Sequence, residues 1–398
     1  MQVRSAVEPL HAGAGLSPRR GLEAPAGPRR KTLCIVVPSH WERLMGGAEY
    51  QVSLLIERLR QLDRFDIHYL TRRAPPPDPA RGYEIHALGD GWPVGGAFFL
   101  DGPRLWTTLA RLRPDVIYQR VACGYTGIAA AYARASGSRM VWHVASDMDL
   151  VPPPRKLSWR TPILQTEQML MRFGARHASA IIVQSGSQAQ TLKRCYGRSD
   201  ATRISNFHPM ATEQIAKPQH VVRVGWVANM KAVKRPELFV RLARDLAHHR
   251  NIEFVMVGLP YVVASERARM ARQIESLPNL RYVGEMPNAG VNRFLAESHI
   301  LVNTSSHEGF SNTFIQAWQR DVVVASLAVN PDGVFDDDRY GVFAGGHYDT
   351  LCASIAQLAQ NARLRADICA RAKHFVRERF SLCNIDAVAR VLDPSFAG

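Results

Sequence analysis

Lys31-Thr32-Leu33-Cys34-Ile35-Val36-Val37-Pro38-Ser39 is a nearly unbroken apolar run with β-branched residues at its centre. A half-exposed strand alternates apolar and polar residues, whereas an unbroken run marks a strand buried on both faces, as in a parallel sheet covered by helices. Residues 47–62 then show a helical period, with Val52, Leu55, Ile56 and Leu59 on one face. Strand, loop and helix in this order open a βαβ unit, whose crossover is right-handed. Further strand patterns follow at 66–71, 83–88, 115–119, 140–145 and 180–184, mostly separated by helical stretches. The Pro-rich piece 74–79 and the triplet Pro152-Pro153-Pro154 read as loops.

After a polar stretch at 207–219 the rhythm restarts, with strand patterns at 221–228, 252–258, 280–284, 300–303 and 322–326. The expected fold class is α/β: two Rossmann-like, doubly wound parallel-sheet domains facing a cleft. The expected division is a flexible basic tail at 1–30, an N-terminal Rossmann-like domain at 31–207 and a C-terminal Rossmann-like domain at 208–378. The end of the chain, 351–392, reads as helical, and 379–398 is expected to pack back on the first domain. Ligands of such folds sit at the C-terminal strand ends, here in the crevice between the two sheets.

At 398 residues the chain fits two domains. With 46% hydrophobic and 21% charged residues it is an ordinary globular composition, which excludes disorder as a default. No apolar run is long enough to span a bilayer, and the Gly-, Pro-, Ala- and Arg-rich start has no apolar signal-peptide core, so a cytoplasmic location is expected. Six scattered cysteines without a CxxC pair argue against a zinc site and fit reduced thiols in a reducing compartment. The formal net charge of +15 calls for an anionic partner or serves solubility. No aromatic-flanked RNA motif, zinc finger or basic-region helix accompanies it, so nucleic acid is not the expected partner. An anionic membrane surface is the better fit, and the chain is expected as a peripheral protein at the inner membrane.

Three loops leaving strand ends carry the residue types that a phosphate-bearing ligand needs. The first, 38–49, holds Gly46-Gly47-Ala48-Glu49 just before a helix. Gly46 and Gly47 let backbone N–H groups approach an anion at the positive helix end, although such a pair also starts many ordinary helices. The spacing is not G-x-G-x-x-G, and no GKS or GKT P-loop occurs, so no cofactor is expected. The second loop runs from Trp226 through Asn229, Lys231, Lys234 and Arg235 to Pro236, a residue suited to a first helical turn. Its lysines suit a diphosphate; a solvated basic loop has the same composition. The third is Ser305-Ser306-His307-Glu308-Gly309-Phe310-Ser311-Asn312-Thr313-Phe314-Ile315-Gln316-Ala317-Trp318. Gly309, Phe310, Ser311, Asn312 and Thr313 open a helix and can turn N–H groups toward a phosphate. Glu308 can reach sugar hydroxyls and Gln316 a ribose, with an ordinary loop carboxylate or helix cap as the plain alternative. Asp336-Asp337-Asp338 reads as a surface turn, and no metal site is expected.

With these residues assembled, the chain resembles the GT-B glycosyltransferases of the large retaining family 4. The resemblance spans about 31–382 and rests on the Gly46-Gly47-Ala48-Glu49 loop, on Phe173-Gly174-Ala175-Arg176-His177-Ala178-Ser179-Ala180-Ile181-Ile182-Val183-Gln184-Ser185, on Ile204-Ser205-Asn206, on Lys234-Arg235-Pro236, on Glu308-Gly309-Phe310 and on Asn330-Pro331-Asp332-Gly333. It implies a metal-independent, retaining transferase that takes a hexose-type sugar from a nucleotide-sugar donor. The implied acceptor is a glycan or a lipid-linked molecule in bacterial polysaccharide or glycolipid assembly. Lys234 stands where the family has its phosphate-binding lysine, but the accompanying arginine is here Asn229. The family has two glutamates separated by seven residues. Glu308 matches the first, expected near the donor sugar, and Gln316 replaces the second, expected on the ribose. The histidine that often ends a first-domain strand has no clean counterpart. His143 lies inside 140–145, and the strand exit reads Ser146-Asp147-Met148-Asp149, with Asp147 as the exposed acceptor-side group. Glu308, Asp147 and His143 are the catalytic candidates, with a packed strand residue as the plain alternative for His143. Two other readings share this architecture, a catalytically silent binding subunit and a nucleotide-sugar epimerase.

Overall fold

The computed structural model describes residues 29–89, 97–151, 161–212 and 215–396. Residues 1–28 of the tail expected at 1–30, and the proline triplet at 152–154, lie outside the described residues.

The first sheet comprises β1 (Lys31–Val36), β2 (Phe65–Thr71), β3 (Glu84–Ala87), β4 (Val116–Arg120), β5 (Arg139–His143), β6 (Ala180–Val183) and β7 (Thr202–Arg203), in the order 3-2-1-4-5-6-7. Its helices are α1 (Gly47–Leu62), α2 (Gly102–Leu112), α3 (Gly124–Ser136), α4 (Thr161–His177) and α5 (Gly186–Tyr196). The second sheet comprises β8 (Val222–Val227), β9 (Ile252–Val257), β10 (Leu280–Tyr282), β11 (Ile300–Asn303), β12 (Val323–Ser326) and β13 (Gly341–Phe343), in the order 10-9-8-11-12-13. Between and after these strands run α6 (Pro236–Asp245), α7 (Ala264–Glu275), α8 (Asn288–Ala296), α9 (Asn312–Trp318), α10 (Tyr348–Gln360), α11 (Ala362–Arg379) and α12 (Cys383–Leu392). Every strand pairing is parallel.

In each sheet the strand order reverses once, between β1 and β4 and between β8 and β11. Connections leave in opposite directions at such points and open a crevice at the carboxyl ends of the strands. The three loops singled out by sequence leave β1, β8 and β11, so the topology delivers all of them to a switch point.

Apolar clusters cover both faces of both sheets, as the unbroken strand patterns require. Ile385, Val388, Ala389 and Leu392 of α12 join Leu33, Ile35 and Val52 in the core of the first domain. Burying each larger side chain contributes about 1.5–3 kcal/mol, enough to carry the chain back from the second domain. Lys31 Nζ–Asp393 (2.6 Å) and Arg58 Nε–Asp386 (3.0 Å) fix the end of that return. The helical stretch at the end of the chain is broken at Asn361, whose side chain caps α11 by accepting from Leu364 N at 2.9 Å. Two strands were not expected. β7 and β13 are only two and three residues long, too short for a periodic pattern, and they exist through pairing to β6 and β12.

Candidate active site in the interdomain cleft

The loops after β8 and β11 are laced together. Thr304 Oγ1 donates to the Lys234 carbonyl (2.7 Å) and accepts from Trp226 Nε1 (3.0 Å). Arg235, held at φ +48°, donates through Nε and Nη2 to the carbonyls of Thr304 (2.6 Å) and Ser305 (3.0 Å). This lacing brings Lys234 Nζ into an ion pair with Glu308 Oε1. Glu308 also accepts from Ser305 Oγ (2.6 Å) and Asn303 Nδ2 (3.2 Å), and its side chain is only 11% exposed. Burial pushes its carboxyl up, but the Lys234 charge and hydrogen bonds from Lys234, Ser305 and Ser311 outweigh that and hold it below the usual range. Glu308 is thus an ionised acceptor beside a cation, at the mouth of the second switch point.

Opposite it stands the exit of β5. Asp149 folds back and accepts from Ala145 N (2.7 Å) and Ser146 N (3.3 Å), which shapes the turn carrying Asp147. Asp147 is half-buried, not exposed as expected, because α5 packs over it and Gln188 Nε2 donates to its Oδ1 at 3.0 Å. Burial raises its carboxyl above the usual range, with Gln188 opposing and Asp332 adding to the shift. The loop of Glu308 abuts this turn: a Cβ at Gly309 would lie 3.2 Å from Gln188 Nε2 and 3.4 Å from Ser146 Cα. The structure therefore brings Glu308 and Asp147 to facing walls of one cleft.

The first and third loops also meet. Asn312 Nδ2 donates to the carbonyl of Gly47 at 2.9 Å. Its Oδ1 accepts from Gln51 Nε2 (3.1 Å) and Asn206 Nδ2 (3.1 Å) and lies 3.0 Å from His208 Nε2. A Cβ at Gly47 would come within 2.9 Å of Asn312 Nδ2, so glycine is what permits the approach. Gly46 is the residue before α1, and Glu49 accepts a hydrogen bond from Ser39 Oγ. The start of α1 and the start of α9 thus sit side by side, with Ser311 Oγ and Thr313 Oγ1 2.8 Å apart beside them. The Phe310 ring is core, packed at a tilt against Phe380 with ring centres 4.5 Å apart, and only its backbone belongs to the cleft.

Four sequence candidates stand apart from this group. His143 has no exposed surface; its Nδ1 faces Tyr118 OH (2.7 Å) and Arg120 Nη1 (3.3 Å), and burial, then Arg120, push its pKa well down. A neutral ring inside the sheet cannot touch a substrate, which corrects its place among the catalytic candidates. It reaches the cleft only through Arg120, whose Nη2 donates to Asn206 Oδ1 at 3.2 Å. Asn229 accepts from Leu259 N (3.1 Å), tying the loop after β8 to the one after β9. Lys231 is exposed and lines a different hollow with Tyr261, Val263, Glu266 and Arg269. Gln316 is buried, and its Nε2 donates to Asn288 (2.8 Å) and Asn292 (2.9 Å) at the wall of a hollow of about 150 Å3 shared with Tyr50, His208 and Arg320. Its amide nitrogen is already engaged by the protein.

Sequence reading missed the residues that hold the two domains together. Asp332 accepts from Arg203 Nη2 and Arg379 Nη2, both at 2.7 Å, and from Ser187 N at 3.2 Å. Gln51, Asn206, His208 and Arg120 form the buried polar layer under Asn312. Asn206 and Asp332 were in view only as parts of Ile204-Ser205-Asn206 and Asn330-Pro331-Asp332-Gly333; nothing local distinguishes the others from surface polar residues.

The fold and the two sequence halves agree on a lineage. Residues 46–208 match the family model described as a glycosyl transferase 4-like domain, and 221–361 match that of glycosyl transferases group 1. No curated protein sequence matches the chain. Among solved structures, the chain is similar to Anabaena HepE in complex with UDP-glucose, at 16% identity and a TM-score of 0.71 over 92% of this chain and 100% of that one. Sucrose-phosphate synthase from Thermosynechococcus elongatus aligns with a TM-score of 0.73 at 16% identity over 92% of this chain and 100% of that chain. WaaG, a glycosyltransferase involved in lipopolysaccharide biosynthesis, aligns with a TM-score of 0.73 at 11% identity, over 91% of this chain and 99% of that chain. With two parallel-sheet domains facing a cleft and both halves matching glycosyl transferase models, the chain belongs to the GT-B glycosyltransferases.

Proposed function

We propose that the cleft binds a nucleoside-diphosphate sugar and that the enzyme passes the sugar to a glycan or lipid-linked acceptor in bacterial polysaccharide or glycolipid assembly. The Lys234–Glu308 pair between the two switch-point loops carries this reading. The diphosphate takes Lys234 as its counter-charge, and the N–H groups of the turn 309–313 and of the start of α1 complete its cradle. Glu308, released from part of its pairing, accepts hydrogen bonds from donor-sugar hydroxyls. As the glycosidic bond breaks, negative charge grows on the leaving diphosphate, and Lys234 stabilises it most when that charge is largest. Lys234 and the backbone N–H groups do the work of a divalent ion in the cleft. Asp147, on the facing wall with a raised carboxyl, orients the acceptor hydroxyl. Transfer of a hexose with retention at the anomeric carbon follows from the family resemblance.

The HepE complexes with UDP-glucose and with UDP support a nucleotide-sugar donor here too. The test is a transfer assay with a panel of labelled nucleotide sugars and an extract of lipid-linked acceptors. Wild type transfers one of them, and Glu308→Ala loses at least about 100-fold, the scale of one removed preorganised group. Transfer by Glu308→Ala at the wild-type rate would remove Glu308 from the site.

The acceptor places the enzyme at the cytoplasmic face of a membrane. On α4, Leu164, Met169 and Phe173 are exposed beside Arg172 and Arg176, a pairing suited to an anionic lipid surface. No helix among the described residues is long and apolar enough to cross a bilayer. Flotation with anionic but not neutral vesicles is the expected result, and no flotation with either contradicts it.

One pair of observations favours a second reading, a silent binding subunit. Asn229 and Gln316 replace charged family residues and are both engaged in internal hydrogen bonds. A chain that binds glycan but is stabilised by no nucleotide would bear out that reading.

A further inference from the structure

On the outer edge of the first sheet, away from the cleft loops, Glu84 and His86 of β3 lie on the same face as His68 of β2, with His68 in register with Glu84 and Leu70 with His86. His68 Nδ1 is 3.1 Å from His86 Nε2 and 3.4 Å from Glu84 Oε2, and Glu84 Oε2 is 3.6 Å from His86 Nε2. Among the described residues no other group of three such donors stands this close.

We propose that His68 Nδ1, His86 Nε2 and Glu84 Oε2 form a divalent-cation site that takes zinc and staples the edge strand β3 to β2. Zinc–nitrogen bonds of about 2.0–2.1 Å make the edge of a tetrahedral ligand set about 3.3 Å. The three measured separations straddle that edge, so the donors already stand as one face of a tetrahedron. Two imidazoles and one carboxylate are a zinc-type donor set, and water takes the fourth corner on the open Glu84 side, whose side chain is 70% exposed. The histidines are set in place, with only 9% and 14% of their side chains exposed. Asp66 Oδ2 lies 3.5 Å from His68 Nε2, the far nitrogen, where a carboxylate orients a ligating imidazole and fixes its tautomer. The charges facing the site are Asp66, Glu84 and Arg111, so a dication meets two carboxylates. Arg111 Nη2, 3.4 Å from His86 Nδ1, is a cation against it. Metal on His86 Nε2 leaves a proton on Nδ1, so Arg111, which is exposed, swings out as zinc enters. β3 is four residues long and pairs on one side only, and a bond from its side chains to β2 holds it where its short ladder is weakest.

The experiment is zinc titration of the full chain after removal of metals with EDTA, by calorimetry in reducing buffer, with bound metal counted by mass spectrometry. One zinc per chain is expected, with a rise in melting temperature. His86→Ala should weaken that binding at least 100-fold. Should His86→Ala fail to fold, Glu84→Gln, at an exposed position, makes the same comparison. Asp66→Asn, which touches no metal, should weaken binding about 10–100-fold while leaving the fold unchanged. Absence of zinc binding by the wild type would overturn the site. So would binding undiminished in His86→Ala or Glu84→Gln, because the metal would then sit on other residues such as the exposed Cys195 and Cys383.

Discussion

Asn312 of the second domain and Gly47 of the first are joined by a 2.9 Å hydrogen bond from amide nitrogen to backbone carbonyl. The same Asn312 faces Gln51, Asn206 and His208 with its oxygen. One side chain thus sets how far apart the two helix starts stand, and with them the width of the cleft.

Asn312→Ala should therefore be costly beyond its size. Gln51 and Asn206 keep a second acceptor in the carbonyls of Phe207 and Phe310, but the Gly47 and His208 contacts are lost, and a fall of about 1–3 kcal/mol in unfolding free energy is expected. Urea unfolding measures it. Asn312→Asp keeps the oxygen acceptor and should lose less; equal losses in both variants would contradict the hub.

Asp332 reaches Arg203 and the Ser187 amide across the domain boundary and also pairs with Arg379 of its own domain. Asp332→Asn keeps the shape and removes the charge. Breaking such a partly buried pair leaves Arg379 and Arg203 facing each other, and a loss of about 1–3 kcal/mol is expected in the same assay. A change within about 0.5 kcal/mol, the range of ordinary surface substitutions, would show the clasp to be idle.

Acid should weaken the protein early. Burial, partly offset by the hydrogen bond to Asn312, holds His208 down at about 4; burial also brings His40 and His299 to about 4. Unfolded histidines titrate near pH 6.5. Between these values the unfolded chain binds more protons than the folded one. The stability these rings contribute is fully present above about pH 6.5 and is lost as pH falls toward 4. The urea midpoint should be flat from pH 8 to 7 and fall steadily below 6.5, with a shallower fall in His208→Gln. A midpoint unchanged between pH 7 and 5 would refute the assignment of neutral buried histidines.

The parts of this structure legible in sequence were those set by local pattern. α1 and β11 fall at the expected 47–62 and 300–303, because each has an unambiguous period bounded by turn residues. The loops after β1, β8 and β11 were legible for the same reason, since a strand end followed by a helix start fixes what must lie at a switch point. The partners of those loops were not. Gln51 and Asn312 are 261 positions apart, and only the packed fold shows that one amide completes the other. His143 stayed open between packed and catalytic in sequence because strand periodicity tells which face a residue takes but not whether neighbouring side chains seal it, as Tyr118 and Arg120 do.

The central claim, that Lys234 and Glu308 mark a nucleotide-sugar site, is tested most directly by thermal stabilisation with UDP, GDP, ADP, CDP and dTDP on wild type and Lys234→Met. One nucleotide should stabilise the wild type, by about 2.7 kcal/mol at a hundredfold excess over its dissociation constant. The same nucleotide should bind Lys234→Met at least about tenfold more weakly, the scale of one lost charge-assisted hydrogen bond. No stabilisation of the wild type by any of the five, or equal stabilisation of both proteins, would contradict it.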